Sequence, residues 1–520
     1  MNLLKNGSNS AFWRRTDRSS HILIGVISFV AFFWYFAVMD PIMIGDADDW
    51  TYIAYLRQAI PHWGGWNPTK ILPEILTGIC GYFAAYVVYP ICGDYLYAVT
   101  YVFAFVLSLV ISIYIVAFYQ LTAAFVPNKT DIHWFSTAVF VALHFGFFKV
   151  WSSNNAMMFN APSLSRITFY TVPMLLVETA VMVLLRNYME GKKNGRSLFS
   201  GPWIAAIYLL AFSNMCVNVM FVLMCSFLAL VEFIKRDRKS TAKEFIAANI
   251  FYLLTMVLYG VSYVFELFGG RAQSLEFNLT SQIQETIFDL KTIYSLICWP
   301  YFFLCSAIVL AAMIILFVER KKEDPSSNKL KRILAWFLFA QPLCILYMLL
   351  LFTRVGGHKL ARIDNISVMW FGCGLFSVLC LAYILSKFEK SRKLIPLAMI
   401  VALCSIFNAN TLAGNTWFEG GDLYQGVHNG YESPKECYEA NTDMIKQFLA
   451  ADEAGADELV LYAPDIISQY SWGGERIAKT LYRHGIVQHL MKVVTVPLSE
   501  KPAIEPGQPA AEGGISTWNS

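Results

Sequence analysis

The sequence predicts an all-α polytopic membrane protein with about eleven spanning helices and a small C-terminal α/β domain. Three observations lead to this class. Of the 520 residues, 57% are hydrophobic and 15% are charged, whereas soluble domains carry roughly 25% charged residues. The apolar residues form long runs, as bilayer-spanning helices require, with a mean hydropathy of +0.49. From about residue 411 the chain becomes rich in Gly, Asp, Glu and Asn and contains no such run.

The order of apolar runs and basic loops predicts the topology. The predicted spans are 21–39, 97–120, 134–150, 166–186, 202–214, 217–234, 245–266, 291–317, 333–353, 366–386 and 394–410. Lys and Arg favour cytoplasmic loops. With these spans, the basic loops at 186–196, 235–243, 320–332 and 387–393 all fall on the side of the N-terminus. We therefore expect a cytoplasmic N-terminus and an extracytoplasmic tail.

Two apolar stretches needed separate interpretation. Residues 203–234 have basic clusters at both ends, and a polar break at Ser213, Asn214 and Asn218 predicts two short helices. Counting Ile71 to Tyr89 as a span would move the basic loop at 192–196 outside. On this charge parity alone, we interpret Ile71 to Tyr89 as an amphipathic or re-entrant helix at the outer surface.

The chain divides into three predicted regions. Residues 1–410 form the membrane region, which includes a first outer loop at 40–96. Residues 411–505 form the outer α/β domain, with helices predicted at 441–451 and 476–483 and strands at 458–462 and 493–496. Residues 506–520, rich in Pro, Gly and Ala, are predicted to be disordered.

Composition also excludes some classes of function. A net charge of +3, with the basic residues in short loops, gives no indication of a nucleic-acid partner. Ten of the eleven cysteines lie in or beside apolar runs, where Cys acts as a small hydrophobe. Because the sequence has no CxxC pair and no Cys/His cluster, we expect no structural zinc or thiol-redox site.

An acidic cluster directly after the first span is the most informative motif. Asp46, Asp48 and Asp49 place three carboxyls within four positions, followed by Trp50. Carboxylates this close repel one another, so at least one pKa rises unless a cation lies among them, and such perturbed groups are common at functional sites. The alternative is a solvated loop that ends a span.

This cluster, the stretch from Trp66 to Lys70 and the polar loop from Trp151 to Ser165 resemble the GT-C superfamily of membrane glycosyltransferases. The resemblance is to its bacterial polyprenyl-phosphate-sugar-dependent members, including the O-antigen glucosyltransferase type. It implies an enzyme at the outer face of the bacterial cytoplasmic membrane. The implied donor is a polyprenyl-phosphate sugar, and the acceptor is a cell-envelope glycan, such as lipopolysaccharide, or a lipid-linked acceptor.

The implied reaction assigns roles to these residues. A carboxylate takes the proton of the acceptor hydroxyl, and a cation stabilises the leaving lipid phosphate. We expect Asp49 to be the base, with Asp48 as the second choice. In an extended loop Asp46 and Asp48 would share a face, which leaves a divalent cation site for Mg²⁺ or Mn²⁺ open.

The predicted substrate-binding residues include one cationic loop. Outer loops contain few Lys and Arg residues, but Arg354, His358, Lys359 and Arg362 lie together between two spans. We expect this loop to hold the lipid phosphate; anionic headgroups or Asp364 are alternative partners. The other predicted substrate-binding residues are Lys70, Trp66, Asn155 and Asn160.

Two other functions remain as alternatives. A transporter of lipid-linked oligosaccharides or small solutes would keep ionisable residues inside its spans, and the predicted spans are almost free of them. An O-antigen polymerase would place its key basic residues in large mid-chain loops. Charged groups at the outer face favour a glycosyltransferase.

Overall fold

The structure is a computed structural model that describes residues 4–57, 70–148, 159, 163–192, 201–236, 241–267, 278–320, 324–356, 358–388, 431 and 433–500. The helices are α1 Leu4–Trp34, α2 Ala47–Ile53, α3 Ile71–Cys92, α4 Tyr95–Phe125, α5 Thr130–Gly146, α6 Leu164–Met189, α7 Gly201–Ala211, α8 Val219–Ile234, α9 Ala242–Leu267, α10 Leu279–Leu296, α11 Trp299–Val318, α12 Pro325–Val355, α13 Ile363–Lys387, α14 Pro434–Glu453, α15 Asp465–Ser468 and α16 Gly473–Arg483. A wide π turn, Tyr35–Met39, extends α1. The strands are β1 Glu458–Ala463 and β2 Lys492–Pro497.

The described helices make this chain a polytopic helical membrane protein. Eight are long and apolar enough to cross a membrane, namely α1 (over Ser19–Met39), α3, α4, α6, α9, α11, α12 and α13. Ten of the predicted spans coincide with α1, α4 to α9 and α11 to α13, and the remaining one, 394–410, lies outside the described residues. The span predicted at 291–317 begins later, at Trp299, because residues up to Leu296 belong to α10.

The short helices α7 and α8 form the predicted pair. Helix ends leave backbone carbonyls without intrahelical partners, and the polar residues of the break supply donors to such carbonyls. Asn218 Nδ2 donates to Ala211 O at 2.8 Å, and Asn214 Nδ2 donates to Phe169 O of α6 at 3.0 Å. The polar break therefore closes the turn between α7 and α8 and fixes it against α6.

Basic side chains gather at one end of the helical bundle, which we call the basic face. They bond to the ends of neighbouring helices: Arg332 to Met189 O (2.9 Å), Lys329 to Ala124 O (2.6 Å), Lys129 to Ser386 O (2.6 Å) and Lys387 to Asp324 (2.7 Å). The basic loops described here therefore lie on the same side, as the charge pattern predicts.

The C-terminal domain sits on the opposite, domain-bearing face. Its strands pair in parallel, with Val460 opposite Val494, and α16 connects them as in a β–α–β unit. The helices and strands predicted between 441 and 496 are all present. Tyr438 of this domain donates to Asp94 Oδ2, at the start of α4, whereas the other end of α4 reaches the basic face.

Helix α3 is long and apolar enough to span, although we expected a surface helix. Its contacts at both ends are with the domain-bearing face. Glu74 pairs with Arg57 at 2.6 Å, just beyond α2, and Tyr86 OH donates to Arg483 O of the C-terminal domain at 2.6 Å. Gly81 permits close contact with α2, since a Cβ there would lie 1.9 Å from Ile53 O. The surface placement of α3 stays a prediction.

Candidate active site

The acidic cluster forms the start of α2. Asp46 caps the helix, because its carboxyl accepts a hydrogen bond from Asp49 N at 2.9 Å. Asp48 and Asp49 lie in the first turn, where the helix dipole favours negative charge. The condition under which Asp46 and Asp48 would share a face, an extended loop, is therefore not met, and the helical period sets their directions instead.

Asp49, the predicted base, is fully enclosed. Its Oδ1 accepts from Ser165 N at 2.7 Å, and its Oδ2 accepts from Gly45 N at 2.8 Å and Leu164 N at 3.2 Å. Burial, followed by the negative charge of Asp46, raises the pKa of Asp49 to about 8, while the amides of Gly45 and Ser165 act in the opposite direction. In this conformation Asp49 joins α2 to the beginning of α6.

The other two carboxyls are more accessible. Asp48 is exposed and Asp46 is half-buried. Burial raises the pKa of Asp46, and the charge of Asp48 adds to that effect. The Asp49 amide and the Arg166 guanidinium oppose it. Asp46 thus lies within electrostatic range of a cation on α6.

A series of contacts connects α2 to the loop from Arg354 to Arg362, which we call the phosphate loop after its predicted role. The ring of Tyr52 on α2 packs against Phe169 on α6, with 4.7 Å between centroids. The next residue, Tyr170, carries the Arg362 guanidinium over its ring at 4.7 Å. Arg362 also pairs with Asp364. The structure therefore places Arg362 on the same face as the acidic cluster, across the first turns of α6.

Lys70 lies beside the same group of charges. It precedes α3 in the left-handed conformation, with φ of 65°. The side chains of Asp364, Arg362, Glu266 and Lys70 all act electrostatically on the buried thiol of Cys216. Lys70 and Arg362, predicted from distant parts of the sequence, thus both lie within electrostatic range of Cys216.

The rest of the phosphate loop is held by α10, a helix that the sequence analysis did not identify. Asp289 is buried, and its carboxylate bonds to His358 Nδ1 and accepts from Leu360 N, both at 3.1 Å. Lys359 O accepts from Asn365 Nδ2 at 2.7 Å, and Arg354 is exposed. The signal for α10 was the polar stretch before the apolar run of α11, which the sequence analysis left unassigned up to residue 290 and counted as part of the next span from residue 291.

Side chains of the C-terminal domain form hydrogen bonds with α2. Trp50 Nε1 donates to Asn441 Oδ1 at 3.1 Å, and Thr480 donates to Trp50 O. Arg483 donates to Ala54 O at 3.0 Å, and His484 Nε2 lies 3.2 Å from Ile53 O. Side chains of α16 and of His484, which follows it, bond to the carbonyls at the end of α2, and Asn441 of α14 accepts from the Trp50 indole. The domain therefore fixes the helix that carries the acidic cluster.

Three of the predicted substrate-binding residues lie outside the part of the chain that the structure describes. Trp66, Asn155 and Asn160 lie outside the described residues. Among the described residues, no three His, Cys, Asp or Glu side chains group closely enough to hold a metal ion. Of the proposed metal pair, Asp46 caps α2 and Asp48 is exposed. A divalent cation stays a prediction.

Three ionisable side chains inside the helical bundle were missed. Glu178 of α6 interacts electrostatically with Tyr114 of α4, and Tyr114 OH lies 3.0 Å from His144 Nε2 of α5. His144 Nδ1 donates to Phe140 O at 2.7 Å. The expectation of spans nearly free of charged groups needs this correction, for which Glu178 within an apolar run was the signal.

No family model matches this sequence. No curated protein matches it either. Among solved structures, it is similar to the crystal structure of the Archaeoglobus fulgidus oligosaccharyltransferase in complex with zinc and sulfate, at 12% identity and a TM-score of 0.39. The similarity covers 83% of this chain and 55% of that one, so this chain spans about half the length of that protein. A similarity at this level establishes neither a shared fold nor a shared activity.

Proposed function

We propose that this protein is a GT-C-like glycosyltransferase. It transfers a sugar from a polyprenyl-phosphate donor to a cell-envelope glycan or lipid-linked acceptor at the outer face of a bacterial cytoplasmic membrane. The supporting observation is that the acidic first turn of α2 and the cationic loop before α13 meet on one face of the bundle, through Tyr52, Phe169, Tyr170 and Arg362. The reaction requires a base and a cation at a shared surface.

We propose Asp48 as the general base, in place of the first choice from sequence, Asp49. A base must come within hydrogen-bond distance of the acceptor hydroxyl, and Asp48 is the exposed carboxyl of the cluster. Asp49, which accepts three backbone hydrogen bonds, positions α2. Arg354, Lys359, Arg362 and Lys70 supply positive charge to the leaving phosphate, and His358 lies in the same loop. A Mg²⁺ or Mn²⁺ ion at Asp46 and Asp48 would add to that charge.

An asparagine scan tests the proposal. Asp48→Asn keeps the size of the side chain but removes its basicity, so transfer from a polyprenyl-phosphate sugar should fall by roughly 10²–10⁴-fold. Because Asp48 is exposed, the melting temperature of the Asp48→Asn variant should equal that of the unaltered protein. The measurement is sugar transfer by purified protein, together with mass analysis of envelope glycans from cells with and without the gene.

Glu244→Gln is the matched control. Glu244 is also an exposed acid in the first turn of a helix, α9, but that turn follows a basic loop, so transfer should be unchanged. Near-normal transfer by Asp46→Asn, Asp48→Asn and Asp49→Asn alike would mean that the cluster only begins and positions a helix. The glycosyltransferase proposal would then lose its main support.

A lipid-linked oligosaccharide transporter is the second candidate. The Glu178–Tyr114–His144 chain supports it, since ionisable groups inside spans often mark transport or proton pathways. Under this alternative, Glu178→Gln rather than Asp48→Asn would stop the movement of lipid-linked sugar across reconstituted vesicles.

A further inference from the structure

Helix α10 has three different sides. At about 100° per residue, five exposed apolar residues fall within one stripe roughly 80° wide: Leu279, Ile283, Ile287, Leu290 and Tyr294. Exposed polar residues occupy the next sector: Thr280, Gln284, Lys291 and Ser295. Beyond them, the exposed ring of Phe288 lies 5.0 Å from that of His358. The third side is buried against the protein, through Gln282, Asp289 and Leu296. A helix with an apolar, a polar and a protein-facing side fits the boundary between hydrocarbon and water.

The buried side of α10 holds the phosphate loop. Besides the bonds of Asp289 to His358 and Leu360, Gln282 Nε2 donates to Arg354 O at 3.4 Å, and the hydroxyls of Thr286 and Thr353 lie 3.1 Å apart. Helix α10, which presents the apolar stripe, therefore sets the position of the phosphate loop.

The stripe continues into the membrane region. The ring of Tyr294 lies 4.6 Å from that of Trp299, at the start of α11, and Trp299 lies 5.8 Å from Phe303. Phe303 is 64% exposed on the surface of a candidate span. Apolar rings thus lead from α11 to Tyr294, at the end of the α10 stripe, and the buried side of the same helix contacts the phosphate loop.

We propose that the apolar stripe of α10 binds the prenyl chain of a long-chain prenyl-phosphate lipid, with the phosphate received by the loop from Arg354 to Arg362. This rests on the proposed function and assigns the donor's lipid to a surface. The charges of Arg354 and Lys359 complement a phosphate, and the apolar path beside them suits a chain that runs back into the bilayer. The sugar then faces α2, across Arg362 and Tyr170.

Chain length distinguishes this surface from one covered by ordinary lipids. The test variant is Ile283→Ser with Ile287→Ser. The control is Val26→Ser with Val30→Ser, an equally spaced and exposed apolar pair on α1. KM is measured for a long-chain polyprenyl-phosphate sugar and for its geranyl analogue. We expect the α10 variant to raise KM about tenfold for the long-chain donor and to leave the geranyl KM unchanged. The control should change neither.

Failure of the proposed function and failure of this inference give different results. Absence of transfer from either donor by the unaltered protein would reject the proposed function. Transfer by the unaltered protein, with equal effects of the α10 variant on both donors or no effect on either, would overturn this inference alone.

A second measurement needs no variant. A long-chain prenyl phosphate with a photoreactive group at its terminal isoprene should crosslink to the peptide 279–294, and unlabelled prenyl phosphate should compete. Competition by phosphatidylglycerol to the same degree, or crosslinking elsewhere, would overturn the proposal.

Discussion

At the residue scale, the three carboxyls of α2 differ because one helix start gives each a different environment. Asp46 caps the helix, Asp48 points to the surface, and Asp49 is enclosed by backbone amides of Gly45, Leu164 and Ser165. Burial and Asp46 raise the pKa of Asp49 to about 8, compared with about 3.9 for Asp in an unfolded chain. A raised pKa means that folding favours the protonated form.

This difference predicts how stability depends on pH. The contribution of Asp49 is fully present below about pH 4 and is lost as the pH rises through about 8. Asp49→Asn removes this titration. We therefore expect the melting temperature of the unaltered protein, relative to Asp49→Asn, to fall by a few degrees between pH 5 and pH 8.5. A relative increase over that range would mean that the amide donors hold Asp49 as a carboxylate, and would contradict the prediction.

The sequence could indicate that these carboxyls matter, but not which one is accessible. Adjacent acids after a span are visible in sequence, whereas their directions depend on where the helix starts and on a segment more than a hundred residues away, at Ser165. For the same reason, the sequence could not indicate that Arg166 affects the pKa of Asp46. Glu178 was visible as an acid within an apolar run, but its partners Tyr114 and His144 come from two other helices.

At the element scale, the short helix α2 depends on the C-terminal domain. Seven residues are too few for a stable isolated helix. Its stability comes from packing against α3 and α6 and from the bonds of Asn441, Thr480, Arg483 and His484 behind it. The domain is therefore expected to keep the acidic cluster in position.

Two amides of α14 permit a matched test. Asn441 bonds outward to Trp50 and to Ile44 O, whereas Gln447 bonds inward, to the backbone of Tyr462 in β1. Asn441→Leu leaves buried partners unsatisfied, at about 1–3 kcal/mol each. We expect it to lower kcat for transfer about tenfold, with donor KM unchanged. Gln447→Leu should weaken the domain but reduce kcat less; equal losses of kcat would show that only domain stability matters.

Helices and strands with one dominant hydrophobic period were predicted well from the sequence. Helices that combine apolar and polar exposed sides, or that are apolar without a clear placement, were not. Long apolar runs located ten helices, seven of which are long and apolar enough to cross a membrane, and alternating strands and amphipathic helices located the units of the C-terminal domain. Most of helix α10 was left unassigned, and its end was counted in the following span, because its three sides dilute any single period. Helix α3 is apolar enough to span, so composition alone does not decide its placement.

At the scale of the whole molecule, the two faces of the bundle differ in charge and in what they carry. The basic face collects Lys129, Lys329, Arg332 and Lys387, while the other face carries the C-terminal domain, α2 and the phosphate loop. The last described helix of the membrane region, α13, ends at Lys387 on the basic face. The positive-inside rule predicts that this face lies in the cytoplasm, and hence that the proposed active site lies outside.

Thiol labelling in intact cells tests this orientation. In a protein whose cysteines are otherwise replaced, a single probe is placed at native Cys92, at Glu475→Cys or at Lys192→Cys, all three of which are exposed. Cys92 ends α3 beside Asp94, which contacts the C-terminal domain, and Glu475 lies in α16. A membrane-impermeant maleimide should therefore label Cys92 and residue 475 but reach residue 192 only after the cells are permeabilised. Labelling of residue 192 alone would place the C-terminal domain in the cytoplasm, away from a donor displayed outside. Opposite results for Cys92 and residue 475 would mean that α3 crosses the membrane, contrary to its contacts with the C-terminal domain.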